Sequence, residues 1–179
     1  LNAEIKRSVL RAYGMKVFVI KPSECGLQLK INNPEKVGID RVLNCKAAIK
    51  LFGSPVIVVD AGTAVTVDIA AENEGFLGGA ILPGAELWVN SLKNTAMMKD
   101  IKPSGVKFPG RNTNEAVHAG LKYGMEGALK NILDISFRRY PSARLVLTGG
   151  GSGMLENCLG RRKKTRRHLT MEGVGMVLK

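Results

Sequence analysis

The sequence is short of several things at once. It has three cysteines, two histidines and one tryptophan, and aromatics make up 5 % of its 179 residues. Cys25, Cys45 and Cys158 are far apart and odd in number. That excludes a disulfide framework and a zinc-ligand pattern, and it points to a reducing cytoplasm. His118 and His168 have no second ligand at metal spacing, so His118 reads as a helix residue of the surface or core. No apolar run approaches the roughly 20 residues of a membrane helix. The opening Leu1-Asn2-Ala3-Glu4-Ile5-Lys6-Arg7 is a charged helical pattern without a secretory core. It starts without Met, inside a helix, and we expect a segment to precede it. No Walker pattern occurs, and no Gly-x-Gly-x-x-Gly follows a strand.

Acidic residues are also scarce: 15 against 27 Lys and Arg, a net charge of +12. Such a balance invites nucleic acid. Its distribution argues otherwise. Basic residues crowd into one run, Arg161-Arg162-Lys163-Lys164-Thr165-Arg166-Arg167, and are scattered elsewhere. The sparse aromatics do not interleave with that run, so a base-stacking platform is not expected. The run reads as a solvated loop or strand edge, with an anionic partner as the alternative.

What the chain does have is a 45 % hydrophobic content, enough for one domain or two small lobes with a real core. The centre is Pro55 to Gly84. A β-branched run ends in Asp60, a tight Ala61-Gly62-Thr63 turn follows, and Ala64 to Ile69 alternates apolar and polar. That is a hairpin signal. Small turn residues let backbone N–H groups approach phosphate oxygens, with Asp60 facing a cation. An ordinary Asp-Ala-Gly-Thr turn, with Asp60 bonding its own backbone, fits the same residues.

Around this centre the pattern predicts a helix from Ala3 to Tyr13 stopped by Gly14. Strands are predicted at Lys16 to Ile20 and Leu27 to Ile31. A helix is predicted from Glu35 to Phe52, stopped by Gly53. Beyond the hairpin a third strand runs to Leu82, and Pro83 opens a helix reaching about Met97. Asp100 to Arg111 is a loop. Asn112 with Glu115 three residues on forms a capping box at the head of the longest helix. Ala116, Gly120, Gly124 and Ala128 lie at spacing four on one face of it, suited to core packing or a subunit interface. Arg144 to Leu147 is a strand ending in Thr148-Gly149-Gly150-Gly151. Ser152 to Leu159 and Met171 to Leu178 read as helices. These elements give an α/β domain. Residues 1–54 read as the remnant of an N-terminal lobe and 55–179 as the C-terminal lobe.

Several residues are candidates for chemistry. In Val37-Gly38-Ile39-Asp40-Arg41, a carboxylate adjoins a guanidinium near a helix start, and neighbours on a helix point apart. Asp40 is placed to take a proton from a hydroxyl, and Arg41 to hold an anion bidentately. A first-turn Asp favoured by the helix dipole and a solvated Arg is the competing reading. Thr113 stands where helix N–H groups point outward, as a ligand contact or simply a helix-start residue. Gly149 and Gly150 fit close approach of a nucleotide, or a plain strand-to-helix turn.

The order of these motifs carries more than any one of them. Asn33-Pro34-x-x-Val37-Gly38-x-Asp40-Arg41, Val58-Val59-Asp60-x-Gly62-Thr63-Ala64, Gly78-Gly79-x-Ile81-x-Pro83-Gly84 and Asn94-Thr95-Ala96 come first. Asn112-Thr113-x-x-Ala116, Leu147-Thr148-Gly149-Gly150 and Leu169-Thr170-x-Glu172-Gly173 follow. Together they resemble the type III pantothenate kinase family, over roughly Tyr13 to Lys179. The resemblance implies an α/β, actin-like ATPase (ribonuclease H-like) fold with one complete lobe and the remnant of a second. It implies transfer of the γ-phosphoryl of ATP to the primary hydroxyl of pantothenate, the first step towards coenzyme A. Asp40 would accept the proton. Gly38, Ile39, Asp40, Arg41 and Thr113 would bind pantothenate. Gly62, Thr63, Gly149 and Gly150 would bind ATP. Asp60 would bind potassium or ammonium, and Mg2+ would accompany the nucleotide. The family works as a homodimer in the cytoplasm, without membrane or nucleic acid. Two departures stand out. The family's opening Asp-x-Gly-Asn-Thr hairpin is absent, as in an N-terminally truncated member, and Ile31 stands where many members carry Tyr. A non-catalytic regulator of the same fold is the competing function.

Overall fold

In the computed structural model, residues 3–93, 101–102, 105–160 and 163–178 are described. Their centre is a five-stranded sheet in the order β3-β2-β1-β4-β5. Strands β1 (Val56–Ala61), β2 (Ala64–Ala71) and β3 (Gly75–Pro83) form the expected antiparallel meander. Strands β4 (Arg144–Thr148) and β5 (Lys164–Thr165) add in parallel beyond β1. Part of the basic run is therefore a sheet edge: Lys164 to Arg167 are exposed. Positive charge on a short edge discourages further strand addition.

Side chains alternate across a strand, so β1 feeds two cores. Val56 and Val58 pack with α2 (Ile39–Phe52), Phe76 and Leu169 on one face. Ile57, Val59 and Ala61 pack on the other against α4 (Thr113–Arg139), through Leu121, Met125 and Leu129. The C-terminal helix, here α6 (Leu169–Val177), lies along α2 on the first face. Gly173 permits this. A Cβ there would stand 2.6 Å from the Leu43 carbonyl oxygen.

Helix α1 (Ala3–Tyr13) ends at Gly14 with φ of 65°, as its sequence predicts, but it buries no residue. Lys16 to Ile20 is not a strand: among the described residues it pairs with none, and Phe18 is 75 % exposed. The segment expected as a strand from Leu27 makes a single parallel bridge, Leu29 to Phe76. Before α2 the chain takes a short 3-10 turn, Pro34–Lys36, so the helix starts at Ile39 rather than Glu35. Pro83 ends β3 instead of opening a helix, because its neighbour Gly84 turns back onto the Thr63 carbonyl (N···O 3.0 Å). Helix α3 (Ala85–Lys93) follows; the expected end near Met97 and the Asn94-Thr95-Ala96 motif lie outside the described residues. Helix α5 covers only Ser152–Leu155 and continues as turns to Leu159.

The core-packing reading of the small-residue stripe does not hold along α4. Its buried face is Val117, Leu121, Met125, Leu129 and Leu133, one position round from the stripe. Ala116, Gly120 and Gly124 are exposed. Only Gly124 has a visible use, since a Cβ there would meet the Trp88 ring of α3 at 3.1 Å.

Candidate active site

Asp40, Arg41 and Asp60 lie on the α2 side of the sheet, at the start of α2 and the end of β1. Gly38 is the N-cap of α2, in extended backbone. A Cβ on it would stand 2.5 Å from Asp40 Oδ1, so the glycine leaves room for the Asp40 carboxylate to lie back over the helix start. Asp40 is exposed there, and the first turn favours its negative charge. Ile39 packs against the core beside α2.

Arg41 is neither solvated nor a free clamp. Its Nε donates to both Asp68 oxygens, at 3.0 and 3.1 Å, and its Nη2 donates to Oδ1. Asp68 is 2 % exposed, and the guanidinium also lies over the Phe76 ring, 5.6 Å from its centroid. The second Nη2 N–H and the Nη1 amino group are left for a ligand. Burial pushes the Asp68 carboxyl up, the Arg41 guanidinium draws it back, and Asp40 adds a little repulsion. The cleft lined by Arg41 has a volume of about 520 Å³ and includes Ile31, Asn33, Gly78 and Gly79. Ile31 makes an apolar wall against Gly78.

Asp60 occupies the penultimate position of β1, on the α2 face with Val58. Its Oδ2 accepts a 2.7 Å hydrogen bond from Asn44 Nδ2. Its Oδ1 sits under the following turn, close enough to Gly149 to exclude a Cβ there. Burial raises the Asp60 pKa, the Asn44 bond lowers it, and the Asp40 charge raises it. Asp60 and the helix that carries Asp40 therefore lie on the same side of the sheet.

The turn itself opens a second cavity of about 320 Å³, on the α4 side of the β1 end. Gly62, Thr63 and Gly150 line it with Gly151 and Met154. Gly149 does not. With φ of 92° and no room for a Cβ beside Asp60 and Ala61, it holds β4 close to β1. Gly151 N–H donates to the Ala61 carbonyl at 2.8 Å, closing the same seam. Thr113 is exposed at the head of α4, and the Arg41 cleft does not include it.

Among the described residues no three acidic, His or Cys side chains converge as a metal cage. Asp60 offers one carboxylate oxygen and neighbouring backbone. That donor set fits a singly charged cation; it does not fit Mg2+, whose demand for octahedral oxygen would fall to phosphates and water.

Sequence reasoning missed Asn44 and Asp68, and it placed Thr170 in a motif without a role. Asn44 and Asp68 are 1 % and 2 % exposed. The available signal was Asn44 as the uncharged polar residue among Val42, Leu43, Cys45, Ala47 and Ala48, with Lys46 beside them.

Comparison with known proteins adds the following. The model of the type III pantothenate kinase family matches residues 1–134. The chain is 36 % identical over 137 residues to the type III pantothenate kinase of Thermobifida fusca, covering 73 % of this chain and 52 % of that protein. It is 34 % identical over 166 residues to that of Persephonella marina, covering 86 % and 64 %. It is 32 % identical over 186 residues to that of Moorella thermoacetica, covering 99 % and 71 %. The chain thus spans from 52 % to 71 % of these relatives' lengths. Among solved structures, it resembles a conserved putative Baf family transcriptional activator from Campylobacter jejuni. The TM-score is 0.65 at 22 % identity, over 99 % of this chain and 78 % of that one. It also resembles the ethanolamine utilization protein EutJ from Carboxydothermus hydrogenoformans, with TM-score 0.50 at 16 % identity, over 97 % and 71 %. At such identities the likeness concerns the fold alone, an α/β sheet with helices packed on both faces.

Proposed function

The chain belongs to the type III pantothenate kinase family, and from that premise we propose that it phosphorylates pantothenate with ATP, giving 4'-phosphopantothenate, the first step of coenzyme A biosynthesis. One observation supports this most: Asp60 and the helix that carries Asp40 lie on the same side of the sheet, and the Gly62–Thr63 turn opens a cavity at the same strand end, on its α4 side. A carboxylate beside an alcohol, a second beside a cation and a backbone turn for phosphates are the parts phosphoryl transfer needs.

In this reading the primary hydroxyl oxygen of pantothenate bonds to the γ-phosphorus, the bond to the ADP oxygen breaks, and the hydroxyl proton passes to Asp40. Gly38, Ile39 and Arg41 line the acceptor side, with Arg41 presenting Nη1. Gly62 and Thr63 hold phosphate oxygens, and Gly150 borders the nucleotide. Gly149 serves that site by keeping β4 against β1. Potassium or ammonium held by Asp60 would neutralise charge beside the phosphates, and Mg2+ would arrive with ATP. We assign residues 1–54 to the remnant of an N-terminal lobe and 55–179 to the C-terminal lobe. A cytoplasmic homodimer, with Thr113 reaching pantothenate near the interface, completes the proposal.

The test is release of ADP that requires both ATP and pantothenate, measured on the gene product carrying this chain. Asp40→Asn is expected to lower turnover about 10²–10⁴-fold, the usual contribution of a general base. Near-native turnover in that variant would remove Asp40 from the role. Salt-sensitive retention of DNA without ADP release would favour the regulator instead.

A further inference from the structure

The motif Leu169-Thr170-x-Glu172-Gly173 has no place in the chemistry above, yet it reaches the site. Thr170 Oγ1 donates to Asn44 Oδ1 at 2.7 Å, and Asn44 Nδ2 donates to Asp60 Oδ2 at 2.7 Å. The last helix is thereby tied to the strand-end carboxylate across 126 and then 16 positions. We propose that Asn44 and Thr170 are positioning residues: the Thr170 hydroxyl fixes the Asn44 amide, and the amide fixes the Asp60 carboxylate.

The chemistry of the three groups allows one arrangement. An ionised carboxylate only accepts, so the amide must turn its NH2 to Asp60. Its oxygen then faces α6 and needs a donor, which the Thr170 hydroxyl supplies. Turned the other way, the amide oxygen would face the carboxylate and the hydroxyl would face NH2. Because Asn44 is 1 % exposed, water cannot take over either bond. Gly173 completes the device. It lies three residues after Thr170 on the same face of α6, and its missing Cβ lets α6 settle on the Leu43 carbonyl. Leu169, fully buried, anchors the start of the helix in the same core.

The clasp stands on these contacts alone; its use, orienting Asp60 Oδ1 toward a singly charged cation, rests on the reading given above. Two measurements on the gene product carrying this chain separate them. The first is hydrogen exchange of the Asn44 side-chain amide, followed in 15N spectra. Thr170→Val, which keeps shape and removes the hydroxyl, is expected to speed that exchange about tenfold, while Thr170→Ser leaves it near the parent value. Unchanged exchange in Thr170→Val would overturn the clasp. So would equal acceleration in Thr170→Ser, which would make packing rather than the hydroxyl the cause. The second is the rise in thermal midpoint with potassium chloride, against N-methylglucamine chloride at equal ionic strength. Thr170→Val and Asn44→Ala are expected to need about tenfold more potassium for the same rise. Variants that respond like the parent would overturn the positioning role. A parent that potassium does not stabilise would remove the cation reading, and amide exchange would then decide the clasp by itself.

Discussion

At the scale of single residues, the site depends on side chains whose partners are distant in sequence. Arg41 and Asp68 are the sharpest case. Truncating one member of a buried pair strands the other's charge. Arg41→Ala is therefore expected to cost about 3–5 kcal/mol in urea unfolding. The double variant Arg41→Ala/Asp68→Ala should recover part of that loss, because no charge is then left buried. This pair also marks the edge of what sequence reading could reach. Asp40 and Asp60 were legible because each sits beside a local signal, a helix start and a tight turn. Asp68 was not, because alternation along β2 ordinarily turns a polar residue to solvent. Here that face lies under α2, and nothing local to residues 64–71 says so. Asn44 was hidden for the same reason on a helix. Its burial is decided by α6, 126 positions further along the sequence.

At the scale of elements, punctuation was read better than position. Gly14 and Gly53 stop their helices as expected, and Asn112 caps α4, accepting from Glu115 N–H at 2.9 Å. The reciprocal half of that cap is displaced by one residue: Glu115 Oε2 accepts from Arg111 N–H at 2.9 Å. This bond, with Lys107 and Asn112 nearby, holds the Glu115 carboxyl below the ordinary range. A depressed carboxyl stabilises the fold above its unfolded value, near 4.3, and the gain is lost as pH falls through the folded value. Glu115→Gln should lower the thermal midpoint at neutral pH. It should also flatten the acid side of the profile, where parent and variant converge. The failed strand at Lys16 to Ile20 has a different cause. A β-branched segment becomes a strand only beside another strand, and the free side of β3 is met instead by residues 28–30.

At the scale of the whole molecule, the sheet separates two chemistries. Its α2 face carries Asp60 and Asp68 with Arg41, and its α4 face carries the apolar wall behind the Gly62–Thr63 cavity. Thr113 belongs to the head of α4 and does not line the Arg41 cleft. If a second copy brings its own Thr113 to that cleft, as the proposed homodimer requires, two inactive variants should complement. Mixing Asp40→Asn with Thr113→Ala under subunit exchange should restore about a quarter of parent turnover, since half the dimers then hold one intact site. Turnover that stays at the level of the separate variants would place both residues in a site built within one protomer.

Strand β1 sends odd positions to one core and even positions to the other, and the carboxylate that ends it obeys the same parity. Length in this strand is therefore a chemical variable. One residue inserted between Val56 and Asp60, or removed there, would exchange the two cores and swing the acid under the long helix, away from its amide. Lineages of this fold should tolerate almost any branched aliphatic side chain in the strand and no change at all in its residue count.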